Sequence, residues 1–247
     1  MLKLAAVPLL ILPLFAVADC TDQLDNWART IKPELKFDRE RAVCKVNPAN
    51  ASQTLAALPF AESVTADGEG DYGLAVLVAN TTSSKIIAQH YQSAAISSDA
   101  IFFDGLTLDT ARYQLAPKLR AFGVRVALRN SSRVVTVSST LLNLYLFEGK
   151  TLRPVMNALE VSRYNGESDG MCDGQFSETQ RTLSIANTGM NGMANLQIDA
   201  RVVKTQNKVK GEECESTDSE PVASRTILKY DKDHYEVPSE LSFLGSL

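Results

Sequence analysis

The chain has 247 residues, 45% hydrophobic and 22% charged, with a formal net charge of −4. That is ordinary globular composition, long enough for one large domain or two small ones with a real core. Thirteen Gly and nine Pro exclude a collagen-like or low-complexity chain, and two His with four Cys leave few ligands for a zinc enzyme.

Residues 1–18, MLKLAAVPLLILPLFAVA, have the form of a cleaved secretory signal. Lys3 supplies the positive start, Leu4 to Ala18 carry no charge, and Ala16 and Ala18 place small side chains before a cut ahead of Asp19. An uncleaved anchor fits less well, because Pro8 and Pro13 interrupt a run shorter than the ~20 residues a spanning helix needs. Lipid attachment at Cys20 is the remaining alternative, with Asp19 a poor fit to the small residue such processing prefers. No later apolar run is long enough to cross a bilayer. The expectation is a periplasmic or secreted protein whose mature part, 19–247, is a single all-β domain.

Export changes the reading of Cys20, Cys44, Cys172 and Cys214. An even number in an oxidising compartment reads as two disulfides. Close C-x-x-C pairs for a metal are absent, and no convincing His or basic group stands out near any Cys to activate a thiol. Four Cys allow three pairings, among which sequence alone does not choose. Joining neighbours, Cys20 to Cys44 and Cys172 to Cys214, is the expected arrangement.

A helix over 21–32 opens the mature chain, with Thr21 as its cap, Leu24, Trp27, Ala28 and Ile31 on one face, and Pro33 as the stop. The period then changes to two. Strands are expected at 41–46, 54–58, 74–79, 85–91, 122–129, 134–138, 142–146, 159–164, 182–186, 196–202 and 226–230. Turn dipeptides punctuate them: Asn47-Pro48, Asp67-Gly68, Asp104-Gly105, Asn130-Ser131, Glu148-Gly149, Asn165-Gly166 and Lys210-Gly211. Roughly a dozen short strands at that spacing predict a mainly β chain, an antiparallel β-sandwich-like or propeller-related fold with a short N-terminal helix. An outer-membrane barrel also alternates, but the cysteines, the opening helix and the final Leu247 weigh against it.

Two resemblances attach to particular segments. Residues 66–76 and 187–198 each run from a Gly-rich turn into a strand and resemble degenerate integrin-type propeller repeats. The segments CKVNP (44–48), RAFGVR (120–125), TLLNLY (140–145) and LRPV (152–155) resemble a family of uncharacterised exported proteins of Gram-negative bacteria. That resemblance implies a periplasmic address and no particular chemistry.

The chemical motifs are sparse. Gly166-Glu167-Ser168-Asp169-Gly170 matches G-x-S-x-G, and Asp199 or Asp218 and His234 complete the Ser-Asp-His order of a serine hydrolase. That mechanism needs a strand-to-helix elbow and an oxyanion hole, whereas Met171-Cys172-Asp173-Gly174 reads as a surface turn. Asp67, Glu69 and Asp71 alternate as a calcium loop begins, yet Val78 stands where its bidentate acid belongs. No cofactor or metal is expected. His90 and His234 are isolated.

Between Asp109 and Glu148 there is no acid, while Arg112, Lys118, Arg120, Arg125, Arg129 and Arg133 fall there. Arg125 and Arg129 share a face of a period-two strand. Arg120, Arg125, Arg129 and Arg133 are therefore the candidate residues for holding an anionic partner, a protein or an envelope component. The bland account is a solvated face, or neutralisation by the acidic stretch around Cys214. An acidic, exported chain is a poor candidate for nucleic acid. The expected function is non-enzymatic: a periplasmic binding protein, with an inhibitor or immunity-type partner of another protein as one form. A hydrolase using Ser168 and His234, or a structural envelope component, is the alternative.

Overall fold

The computed structural model describes residues 20–189 and 192–243. The expected signal, 1–18, and Met190 and Asn191 of the second propeller-like segment lie outside them. The described residues are mainly β and antiparallel, with one short α-helix. After a 3-10 turn (Cys20–Gln23) and α1 (Leu24–Ile31) come β1 (Lys36–Phe37), β2 (Val43–Val46), β3 (Gln53–Ala61), β4 (Gly70–Asn80) and β5 (Ile86–Ser98). The next are β6 (Phe102–Ala116), β7 (Leu119–Arg129), β8 (Val135–Glu148), β9 (Thr151–Ser168), β10 (Gly174–Thr188) and β11 (Ala194–Lys210). The last are β12 (Glu213–Asp218), β13 (Val222–Leu228), β14 (Tyr230–Asp231) and β15 (His234–Tyr235).

The first five strands make one sheet, in which β1 and β2 share one edge of β3, and β4 and β5 follow on the other. Both faces of its centre are covered. Leu55 and Ala57 point into the core shared with the second sheet, while Ala56, Leu58 and Phe60 point to Leu24, Trp27 and Ala28 of α1. Hence β3 and β4 read as almost unbroken apolar runs rather than as an alternation. The helix is held at two further points. Trp27 Nε1 donates to the carbonyl oxygen of Ser84, and Cys20 is bonded to Cys44 of β2.

The second sheet is a meander from β6 to β11, whose outer edge is shared end to end by β13 and β12. One face of β6–β8 contributes Leu106, Leu108, Phe122, Val124, Val126 and Tyr145 to the core against the first sheet. The other face carries Ala121, Leu142, Leu144 and Leu146. The sheet curls over this second face. β10 pairs with β9 only over 174–180, so the rest of β10, with β11 and β13, brings Leu196, Ile198 and Leu228 onto it. Tyr235 of β15 closes the gap beside Met156 of β9.

Several local expectations are corrected. The α-helix is entered from the 3-10 turn, with Gln23 rather than Thr21 at its N-cap. β6 was not foreseen, because Asp104-Gly105 reads as a turn but lies within it at a register shift. Asn165-Gly166 likewise lies inside β9. The segments 134–138 and 142–146 are one strand, β8. Long strands of 11 to 18 residues thus replace many of the short ones expected.

Candidate binding surface on a disulfide-tied arm

The far parts of β9, β10 and β11, with all of β12, run beyond both cores as an arm. Every residue of β12 is exposed, as are most of the last residues of β11. The arm has a charged root. Glu160, only 2% exposed, accepts from Ser139 Oγ at 2.9 Å and from Arg181 Nη1 at 3.1 Å, with Arg163 Nη1 at 3.7 Å. Glu160 sits where the β8–β9 register shifts, which is where the arm departs from the body.

Its tip is three loops tied together. The Cys172–Cys214 disulfide joins the β9–β10 turn to β12, with the Cα atoms 5.7 Å apart. Val209 N donates to Asp173 Oδ1, and Ser168 N donates to the carbonyl of Val134 in the loop before β8. The turn itself is set by Asp169, whose Oδ1 accepts from the amides of Met171 and Cys172, both at 2.9 Å. Large apolar side chains stand exposed at this end: Val134 and Met171 on loops, the latter 92% exposed, Val135 at the start of β8 and Val209 near the end of β11. The same segments carry Glu167, Asp169, Asp173, Glu212, Glu213 and Glu215 against Arg133, Lys208 and Lys210, an excess of acid beside exposed apolar side chains.

The four candidate arginines lie elsewhere or are already engaged. Arg125 and Arg129 do share a face of β7, and each meets an aspartate of β6. Arg125 Nη2 lies 2.6 Å from Asp109 Oδ2, and Arg129 Nε lies 2.7 Å from Asp104 Oδ1. The acids that match this stretch thus come from the preceding strand of the hairpin, just outside the acid-free interval of the sequence. Burial opposes the charge of Asp109, but the Ala111 amide, the Tyr113 hydroxyl and Arg125 outweigh it and hold its pKa below the ordinary carboxylate value. Arg120 Nη2 donates to the Thr110 carbonyl. Arg133 is in the loop at the arm's tip, where its carbonyl accepts from Ser168 Oγ.

Ser168 and His234 are not brought together. His234 neighbours Tyr235, which pairs with Met156, and from there Ser168 is twelve positions farther along β9, on the order of 35 Å. His234 Nδ1 lies 2.9 Å from Asp233 Oδ1, Asp199 holds Arg225, and Asp218 accepts from Thr205 Oγ1. Asp67, Glu69 and Asp71 lie at the β3–β4 turn, where Asp71 accepts from Ser97 Oγ. Among the described residues no group of three His, Cys, Asp or Glu side chains is arranged to hold a metal ion. No helix among them is long and apolar enough to cross a membrane.

The arm itself was largely missed from the sequence. Its one available signal was the pairing of Met171 with a neighbouring Cys in a turn flanked by acids. Comparison with protein families, curated proteins and solved structures finds no match to this chain.

Proposed function

We propose that this chain is an exported, non-enzymatic binding protein that presents the tip of its arm to another protein. The observation that carries this reading is the exposure of Met171, Val134 and Val209 at the end of the arm tied by Cys172–Cys214. A tip held rigid loses little conformational freedom on binding, and a projecting apolar side chain is a natural anchor for a pocket. The excess of acid at this end suits a partner whose apolar pocket lies beside Lys or Arg. Two disulfides and the signal-like residues 1–18 support an oxidising, extracytoplasmic address. The paired state of Arg125 and Arg129 takes weight from the anionic-partner reading of that face.

The test compares capture from an envelope extract by the mature protein and by a Met171→Asp, Val209→Asp variant. A partner held by the first, released by rising salt and lost by the second is expected. Equal capture by both would remove the tip from the function.

A further inference from the structure

The core between the two sheets ends in a cleft of about 150 Å³ on the body. Leu55 of β3, Val78 of β4, Phe122 of β7 and Phe147 of β8 belong to that core or pack against it, and all four line the cleft. The other walls come from the β2–β3 connection, with Asn47 and Asn50, from Gln53 at the start of β3, and from the β6–β7 hairpin, with Lys118 and Arg120. Gln53 and Leu55 are two positions apart on β3, as Arg120 and Phe122 are on β7, so each polar side chain shares the core-facing side of its strand. The cleft is thus the apolar edge of a core with a polar mouth.

The charge around it has one sign. Among the described residues no Asp or Glu lines the cleft. Asp109 and Glu148, which adjoin Thr110 and Phe147 in sequence, pair with Arg125 and Arg153. Arg120 uses Nη2 on the Thr110 carbonyl and keeps Nε and Nη1 without a protein partner, and Lys118 has none. Lys45 Nζ reaches the same place, 3.3 Å from Thr110 Oγ1. None of these three cations forms an ion pair among the described residues.

The amides add donors rather than acceptors. Ala49 N donates to Asn47 Oδ1 at 3.0 Å, so the Asn47 Nδ2 is free to donate to Gln53 Oε1, at 3.1 Å. Ser52 N donates to Asn50 Oδ1. Backbone N–H groups therefore fix which end of these amides is which, and the groups left without a protein partner are Gln53 Nε2 and Asn50 Nδ2. An ionised carboxylate only accepts, and it matches such a set, whereas a neutral amide or hydroxyl brings donors of its own. An inorganic anion has nothing to place against Leu55 and Phe122. The volume limits the rest of the ligand, since an apolar cavity of about this size takes up a benzene ring.

We propose that this cleft binds a small carboxylate whose apolar body is about the size of a benzene ring, the carboxylate held by Lys118 and Arg120 and the ring set against Phe122 and Phe147. Phe147 and Val135 stand at opposite ends of β8, so the site is separate from the protein-docking tip and does not rest on it.

The test titrates the mature protein with benzoate, with benzamide as its neutral isostere, and with inorganic phosphate, following backbone amide shifts by NMR. Saturable shifts centred on 47–53 and 118–122 are expected with benzoate, and binding weaker by about tenfold or more with the other two. Lys118→Glu, at an exposed turn, should weaken benzoate binding by about tenfold at unchanged melting temperature, and Arg120→Gln should weaken it similarly. Met171→Asp should leave it unchanged. Benzamide binding as tightly as benzoate would remove the role of charge, and phosphate doing so would remove the role of the apolar floor; either overturns the proposal. So would the absence of a saturable shift with benzoate, or shifts that ignore both charge variants.

Discussion

The body and the arm are made of the same antiparallel ladder, and in places of the same strands, yet they are held by different forces. In the body, Leu58, Val76 and Leu144 are fully buried, and apolar burial provides the dominant stabilisation. Along the arm the ladder hydrogen bonds continue, but β12 buries no side chain. What replaces a core there is a covalent tie at one end and a buried ionic knot at the other. Hydrophobic burial fixes a shape by excluding water, whereas the arm fixes a shape while leaving both faces wet. That leaves a surface free to bind without exposing a core.

The comparison is broken most severely at the root. Glu160→Ala removes the acceptor between Arg181 and Arg163 and leaves buried positive charge unmatched. A loss of about 3–5 kcal/mol is expected in urea unfolding. A loss below about 1 kcal/mol would mean that the root is solvated and that the arm is not anchored through it.

Next comes a contrast between the two regions. Leu144→Ala should cost about 2–5 kcal/mol and lower the cooperative unfolding transition of the whole chain. Removing the arm's disulfide with Cys172→Ser and Cys214→Ser frees a loop with an entropy equivalent of about 4 kcal/mol. Its effect should be local: faster amide exchange over 165–177 and 205–218, with body amides unchanged. Uniformly faster exchange throughout would show that body and arm unfold as one unit.

The smallest expected effect concerns acid. The pKa of Asp109 is depressed in the folded protein, so its contribution is present above the unfolded value of ~3.9 and is lost as pH falls through the folded one. Asp109→Asn should lower stability by about 1–2 kcal/mol at neutral pH. The gap from the native protein should narrow below about pH 4. A gap that stayed constant down to the acid transition would show that Asp109 is not depressed.

The same division of forces decided what could be read in the sequence. Where burial covers one face, as in Phe122, Val124, Val126 and Leu128 of β7, the period of two announces the strand. The presence of two disulfides and the opening helix were legible for similar reasons, since an even cysteine count and apolar spacing are both read directly from the chain. β6 was not, because Asp104-Gly105 mimics a turn while Gly105 sits at a shift in register with Ala127. The arm was not legible either. Asn165-Gly166 carries turn chemistry, but Gly166 is a mid-strand residue whose missing side chain accommodates the Phe176 ring. Residues 203–218 are polar or glycine apart from Val203, Val209 and Cys214, too few and too scattered for a period of two to mark their strands. The acid partners of Arg125 and Arg129 were also hidden. A search for acids after Asp109 excludes the two aspartates that a hairpin folds back onto them.

The order of the disulfides bears on how the molecule is made. Cys20 bonds Cys44, and Cys172 bonds Cys214, so each cysteine joins the next one in the chain and the two closed loops neither nest nor overlap. Under the proposed export, with the chain threaded out from its N-terminus, the first two thiols emerge long before the third. An oxidant that joins thiols in order of appearance then produces the native bonds directly, and a proofreading isomerase has no wrong pair to correct.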